Sequence, residues 1–121
     1  MTGIAHPTPA QAAGGDAEER AAAFLAAQGL VIVARNFRTR LGEIDLVARE
    51  GEVLVFVEVR LRTSERHGGA LQSITWRKQR RIQAAARQFL ARLRREPACR
   101  FDVVALDGEQ TTWLRAAFEC S

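Results

Sequence analysis

Three acids, Glu43, Asp45 and Glu58, lie inside segments that otherwise read as buried strands, Gly42-Glu43-Ile44-Asp45-Leu46-Val47 and Leu54-Val55-Phe56-Val57-Glu58-Val59-Arg60. A carboxylate removed from water costs several kcal/mol unless a cation or hydrogen bonds compensate it. Acids in two neighbouring strands therefore require a cation nearby, either a divalent metal or an arginine or lysine. Alternate residues of a strand share a face. That puts Glu43, Asp45 and Val47 on one side of the first segment, and Leu54, Phe56, Glu58, Arg60 and Arg62 on one side of the second. Between them Arg49-Glu50-Gly51-Glu52 reads as a tight turn, with Gly51 free to take a positive φ. With Glu50 and Gly51 as the two loop residues, Arg49 opposes Glu52, Val47 opposes Leu54, Asp45 opposes Phe56 and Glu43 opposes Glu58. The three carboxylates and Arg60 then share one face. Like charges directly opposite one another destabilise a sheet, so Glu43 and Glu58 need a neutralising partner.

The elements that must hold this cluster follow from local pattern. Residues 1–15, with Pro7, Pro9, Gly14 and Gly15, read as a flexible tail, and 16–121 as one domain. A helix is expected from Asp16, a capping residue, to Gly29, a C-terminal stop. Leu30 to Arg38 is strand-like, and the hairpin comes next. Thr63 to Ala70 reads as a loop, then Leu71 to Leu93 as one helix with Ile74, Ile82, Ala85, Ala86, Phe89 and Leu93 at helical spacing, ended by Glu96-Pro97. Arg100 to Leu106 is a strand, Asp107-Gly108 a turn, and Thr112 to Leu114 a last short strand. The long helix supplies the crossover that a parallel neighbour needs, so the expectation is an α/β fold, a mixed sheet flanked by helices.

A chain of 121 residues suits one core. No apolar run approaches the roughly eighteen residues of a membrane span, and the N-terminus lacks the pattern of a secretory signal, so a cytoplasmic location without membrane partners is expected. Cys99 and Cys120 have no Cys-x-x-Cys spacing and read as ordinary thiols. The net charge is +4, and Arg77, Lys78, Arg80, Arg81, Arg87, Arg92, Arg94 and Arg95 crowd one segment. Such a segment suits phosphate backbones, and a solvated helix face produces the same pattern. Lys78, Arg80, Arg81 and Arg87 are the candidate nucleic-acid contacts. Trp76, near the expected helix start, has a ring of the kind that stacks on a base, but the expectation is that it packs inward; His67 has no second histidine nearby.

Several blocks in order carry a resemblance: Ala17-Glu18-Glu19 with Phe24-Leu25, Arg35-Asn36-Phe37-Arg38, Gly42-Glu43-Ile44-Asp45-Leu46, Phe56-Val57-Glu58-Val59-Arg60-Leu61-Arg62, Lys78 with Arg81-Ile82, and Arg100-Phe101-Asp102-Val103-Val104. In these the chain resembles the YraN-like proteins, uncharacterised protein family 0102, within the PD-(D/E)XK nuclease superfamily. The resemblance implies a restriction-endonuclease-like αβββαβ core. It implies that Asp45, Glu58 and the Val59 carbonyl bind magnesium or manganese, with Glu18 approaching from the first helix and Glu43 in support. Magnesium suits such a set because it takes one or two carboxylates, keeps several waters and draws its remaining oxygens from phosphate. The third catalytic position, a lysine in the superfamily, is Arg60 here. Arginine stabilises charge but cannot act as a base near neutral pH, so turnover is the implied property that Arg60 puts in question. Lys78 is the alternative ammonium, though the first expectation for it is a phosphate contact or an exposed helix lysine. The implied partner is nucleic acid, DNA before RNA. A non-catalytic binding module, a homodimer or a component of a DNA-processing complex are the further expectations.

Overall fold

Val53–Leu61 is apolar at nearly every position up to Val57, as a strand covered on both faces must be. It is the centre of the sheet. In this computed structural model the described residues are 9–61 and 74–119, with side chains described from residue 15. The elements are α1 (Pro9–Ala27), β1 (Val31–Arg38), β2 (Glu43–Glu50), β3 (Val53–Leu61), α2 (Trp76–Leu90), β4 (Cys99–Asp107) and β5 (Gln110–Phe118). The five strands lie in the order β1-β2-β3-β4-β5. Only β3 and β4 are parallel, joined by the crossover through α2. The expected α/β class with a mixed sheet between helices is what the chain forms, and it is compatible with a restriction-endonuclease-like core. Arg62, the Thr63–Ala70 loop, His67 and Cys120 lie outside the described residues.

Each face of the sheet has its own core. Leu46, Ala48, Val55, Val57, Val104 and Leu106 pack with Ala17, Ala21, Ala22 and Leu25 of α1. Val47, Leu54, Phe56, Phe101 and Val103 pack with Ile82, Ala85 and Ala86 of α2. Helix α1 stops where expected: Gly29 has φ 98° and the Leu30 and Gly29 amides donate to the Leu25 and Ala26 carbonyls, each at 3.0 Å. That closes the helix in a Schellman motif. It starts earlier than expected, at Pro9 rather than Asp16, since proline fits the first helical position, where its missing amide hydrogen costs nothing. Helix α2 is shorter than expected. Thr75 Oγ1 accepts the Lys78 amide at 3.1 Å and starts it, and Ile74, although buried, lies before it. The last strand is longer than Thr112 to Leu114. At 0% exposure Asp102 accepts from Arg100, Trp113 Nε1 and the Ala116 amide, and so ties β5 to β4.

The β2–β3 hairpin corrects the expected register. The loop residues are Gly51 and Glu52, Glu50 opposes Val53, and Val47 opposes Phe56 rather than Leu54. Glu50 stays in the ladder because Arg115 and Arg100 bind its carboxylate at 2.8 and 2.7 Å, and together they hold its pKa down near 2. The shift along β3 is two residues, so across the paired stretch from Leu46 to Glu50 each side chain keeps its face. Glu43 is the exception to the expected cluster. It pairs with Arg38 of β1, with Oε2 3.2 Å from Arg38 Nε, and is exposed.

Gly42 fixes the start of β2 against α2. A methyl group in place of its hydrogen would collide with the carbonyl of Arg81. Gly42→Ala is therefore expected to destabilise the fold by about 1–3 kcal/mol, the usual range for overpacking. Urea denaturation measures it, and an unchanged midpoint would show that α2 yields freely.

Candidate metal and phosphate site

β2 and β3 separate beyond the Leu46–Val57 pair, whereas β3 stays paired to β4 as far as Leu61. The cause lies in β1 and β2 together. Arg35 reaches Glu19 of α1 while Phe37 packs on the α2 side, and their partners Leu46 and Ile44 divide in the same way. Regular alternation would put residues two apart on one face, so both strands reverse phase at the intervening pair, Asn36 and Asp45. Asn36 has φ 51°, a left-handed conformation that asparagine tolerates better than most residues. Asp45 therefore does not share a face with Val47. Its carboxylate fills the gap between the strands, where Oδ2 accepts the Val59 amide at 2.8 Å.

Glu58 stands next to it. Carrying the hairpin register one step past Leu46 and Val57 sets Asp45 opposite Glu58, and the two carboxyls share a hydrogen bond. Burial, then the charge of Glu58, push the Asp45 pKa up to about 8; the Val59 amide opposes this and the charge of Glu18 adds to it. Glu18, half-buried on α1, thus acts on Asp45 from one face while Glu58 follows the α2-facing side of β3. Of the sequence-based set, Asp45 and Glu58 are in contact, Glu18 acts on Asp45 through its charge alone, and Glu43 stays apart. Among the described residues no set of three or more His, Cys, Asp or Glu side chains is arranged to hold a metal ion. Glu18 therefore contributes charge at this distance, and Asp45 and Glu58 remain as the two carboxylates magnesium characteristically takes.

The cations at the site differ from the sequence-based ranking. Lys78 Nζ lies 2.7 Å from Glu58 Oε2, and Arg60 Nη1 lies 3.5 Å from the same oxygen. Glu58 is only 5% exposed, so its charge needs these partners. The sequence pattern groups Lys78 with the phosphate contacts, whereas the structure sets it against Glu58. Its placement follows from the Thr75 cap, which sets the helix phase, and from the inward face of α2 carried by Ile82 and Ala85. One compositional signal pointed there. Of eighteen lysines and arginines, Lys78 is the only lysine. Arg80, Arg81 and Arg87 are exposed on α2 with Arg77, and α2 contains no acidic residue. A cavity of about 250 Å³ beside Lys78 is lined by Glu43, Thr75, Arg77, Arg81 and Ile82. It carries positive side chains to the edge of the acidic pair.

Residues 17–106 match the model of the Uncharacterised protein family UPF0102. The chain belongs to that family. A UPF0102 protein of Nitrosospira multiformis is 54% identical over 109 residues, covering 88% of this chain and 92% of its own length. One from Burkholderia lata is 55% identical over 119 residues, 98% of this chain and 82% of its own. The matched region runs from α1 through β4, so it contains Glu18, Asp45, Glu58, Arg60 and Lys78. Among the described residues no helix is long and apolar enough to cross a membrane.

Proposed function

We propose that this protein binds nucleic acid in the cytoplasm and cleaves its phosphodiester backbone with magnesium or manganese, as the resemblance to the PD-(D/E)XK nucleases implies. The observation that carries this reading is the contact between the Asp45 and Glu58 carboxyls, braced by the Val59 amide and faced by the Lys78 ammonium. A buried Glu58 and a part-buried Asp45 in carboxyl-to-carboxyl contact are a donor set that a divalent cation would satisfy, because the ion would remove the repulsion between them. All candidate donors are hard oxygens, which suits these metals.

Asp45 and Glu58 would hold the ion, with the Val59 carbonyl as the resemblance implies. Bound there, the cation would lower the pKa of an attacking water and stabilise charge on the phosphate oxygens. Lys78, whose ammonium lies 2.7 Å from Glu58 Oε2, would stand beside a phosphate held at this site. Arg60 stays as a fixed positive charge next to it. Arg77 and Arg81 line the approach and would contact neighbouring phosphates, which supplies affinity without sequence preference.

A second reading, a binding module without turnover, is supported by the same ion pair. Lys78 and Arg60 already neutralise Glu58 from within the chain. A cleavage screen over branched, single-stranded and duplex DNA and RNA with magnesium or manganese separates the two. The expected result is metal-dependent cleavage that Glu58→Ala abolishes. Binding without cleavage on every substrate would favour the module.

A further inference from the structure

Trp76 contradicts its expected inward packing. It is 68% exposed, the most exposed of the large hydrophobic side chains among the described residues. Trp76 is the first residue of α2, roughly 200° around the helix from Lys78, at about 100° per residue. The inward face is occupied by Ile82, Ala85 and Ala86, so the indole has no place in the core. It is nonetheless held in position. The Arg80 guanidinium lies 5.7 Å from the indole centroid, a cation–π contact that restrains both side chains.

An exposed indole fixed by an arginine on a helix without acids has a specific use. We infer that Trp76 and Arg80 form a platform that stacks an unpaired base, which makes the substrate a nucleic acid with unpaired nucleotides beside the cleavage site. This rests on the nucleic-acid reading above. A duplex hides the faces of its bases, whereas a single strand presents every base face, and aromatic side chains on a positively charged groove are the usual way of holding one. The groove is present. An open cavity of about 720 Å³ runs from Trp76 and Arg80 past Gln83 and Arg87 to Arg100 and Phe118. Arg80 and Arg87 suit the phosphates that flank a stacked base, whereas Arg100 is held by Asp102 and Glu50, and Glu119 is the one acid in the lining. On the other side Leu41, 57% exposed, joins Trp76, Arg77, Arg80, Arg81 and Arg87 around a second hollow, so the positive surface continues from the platform toward Lys78. A base on Trp76 would lie about one helix diameter, roughly 10–12 Å, from the Lys78 side of α2. That separation is spanned by a few nucleotides of extended strand. An acidic protein surface would use the same arginines and would take the indole as an anchor; the nucleic-acid occupant is preferred because the platform adjoins the proposed phosphodiester site.

The test is fluorescence anisotropy on the full chain with a labelled oligothymidylate of about twelve nucleotides, within the usual range of single-strand site sizes, and with a blunt duplex of equal length. Trp76→Ala is expected to weaken single-strand binding by roughly 5- to 150-fold, the contribution of one stacked base, and to leave duplex binding unchanged. Trp76→Phe should recover most of the loss, since a phenyl ring still stacks. Because the indole is exposed, the variants should melt with the wild type, and thermal unfolding checks this. Equal losses on both nucleic acids, or no loss on either while the wild type binds, would overturn the platform and leave the nucleic-acid reading standing. A wild type that binds neither would remove both. Retained oligonucleotide binding by Trp76→Ala, with loss of an acidic protein partner, would assign the face to protein docking.

Discussion

Asp45→Asn is expected to make the metal-free protein more stable than the wild type at alkaline pH and to remove its response to magnesium. Burial and the charge of Glu58 hold the Asp45 pKa near 8, against 3.8 for the unhindered group. Between those values the folded state binds the proton that the unfolded state has released, so stability falls as pH rises. The contribution is fully present below about pH 4 and is lost as pH passes through about 8. Asparagine carries no charge at any pH. Its carbonyl can still accept the Val59 amide and its NH₂ can donate to Glu58, so the variant should keep the contacts without the decline. The difference should reach a few kcal/mol near about pH 9. Urea midpoints at about pH 5 and about pH 9, with and without millimolar magnesium, measure it. Magnesium should raise the wild-type midpoint most at the higher pH, where the ion need not displace a proton, and should leave Asp45→Asn unchanged. Parallel pH profiles for the two proteins would mean that Asp45 is not the strained acid.

The proximity of Asp45 and Glu58 is legible in the sequence, but its detail is not: the turn lies one residue later and the alternation of β2 breaks at Asp45. Alternation within each strand and a two-residue turn at Gly51 are local properties. The two-residue slip of the hairpin brings the acids closer, since it sets Asp45 opposite Glu58 instead of Phe56. The phase reversal at Asn36 and Asp45 was not legible. It is a paired distortion of two strands, and a single asparagine in a strand-like run gives no sign of φ 51°. For the same reason the isolation of Glu43 could not be read, since it depends on the β1 register that gives it Arg38.

Helix phase accounts for the other differences. Ile74 is buried and falls into helical spacing with Ile82 and Ala85, so the sequence joined it to α2 and moved the helix start upstream. With the start at Trp76, the first turn presents the indole outward and Lys78 toward the sheet. Periodicity measured over the whole segment describes the inward stripe of Ile82, Ala85 and Ala86 and is silent on the two residues that matter for chemistry. The informative signal for Lys78 was composition rather than pattern. A chain that otherwise uses arginine as its cation retains its one lysine beside a buried carboxylate, and the compact, mobile ammonium differs from guanidinium in the functions that matter there.

That contrast sets the last prediction. If, under the proposed function, Lys78 supplies the ammonium that the resemblance would place at Arg60, Lys78→Met should lower magnesium-dependent cleavage by about 10²- to 10³-fold, the range for loss of one preorganised charge stabiliser. Arg60→Lys should change it little. The geometry favours this order: Lys78 Nζ lies 2.7 Å from Glu58 Oε2 and Arg60 Nη1 lies 3.5 Å away. Lys78→Arg should not restore the rate, because a planar guanidinium cannot follow the phosphate as a flexible ammonium does. Two further measurements distinguish chemistry from packing. A loss in kcat with unchanged nucleic-acid affinity places Lys78 at the transition state, whereas a fall of nearly one unit in the salt slope of binding makes it a phosphate contact. A lower urea midpoint for Lys78→Met without magnesium, recovered when the metal is added, would show the lysine and the ion taking turns in neutralising Glu58. Should Arg60→Lys gain strongly while Lys78→Met cleaves as before, the ammonium position lies on β3, and the helix lysine serves only the stability of Glu58.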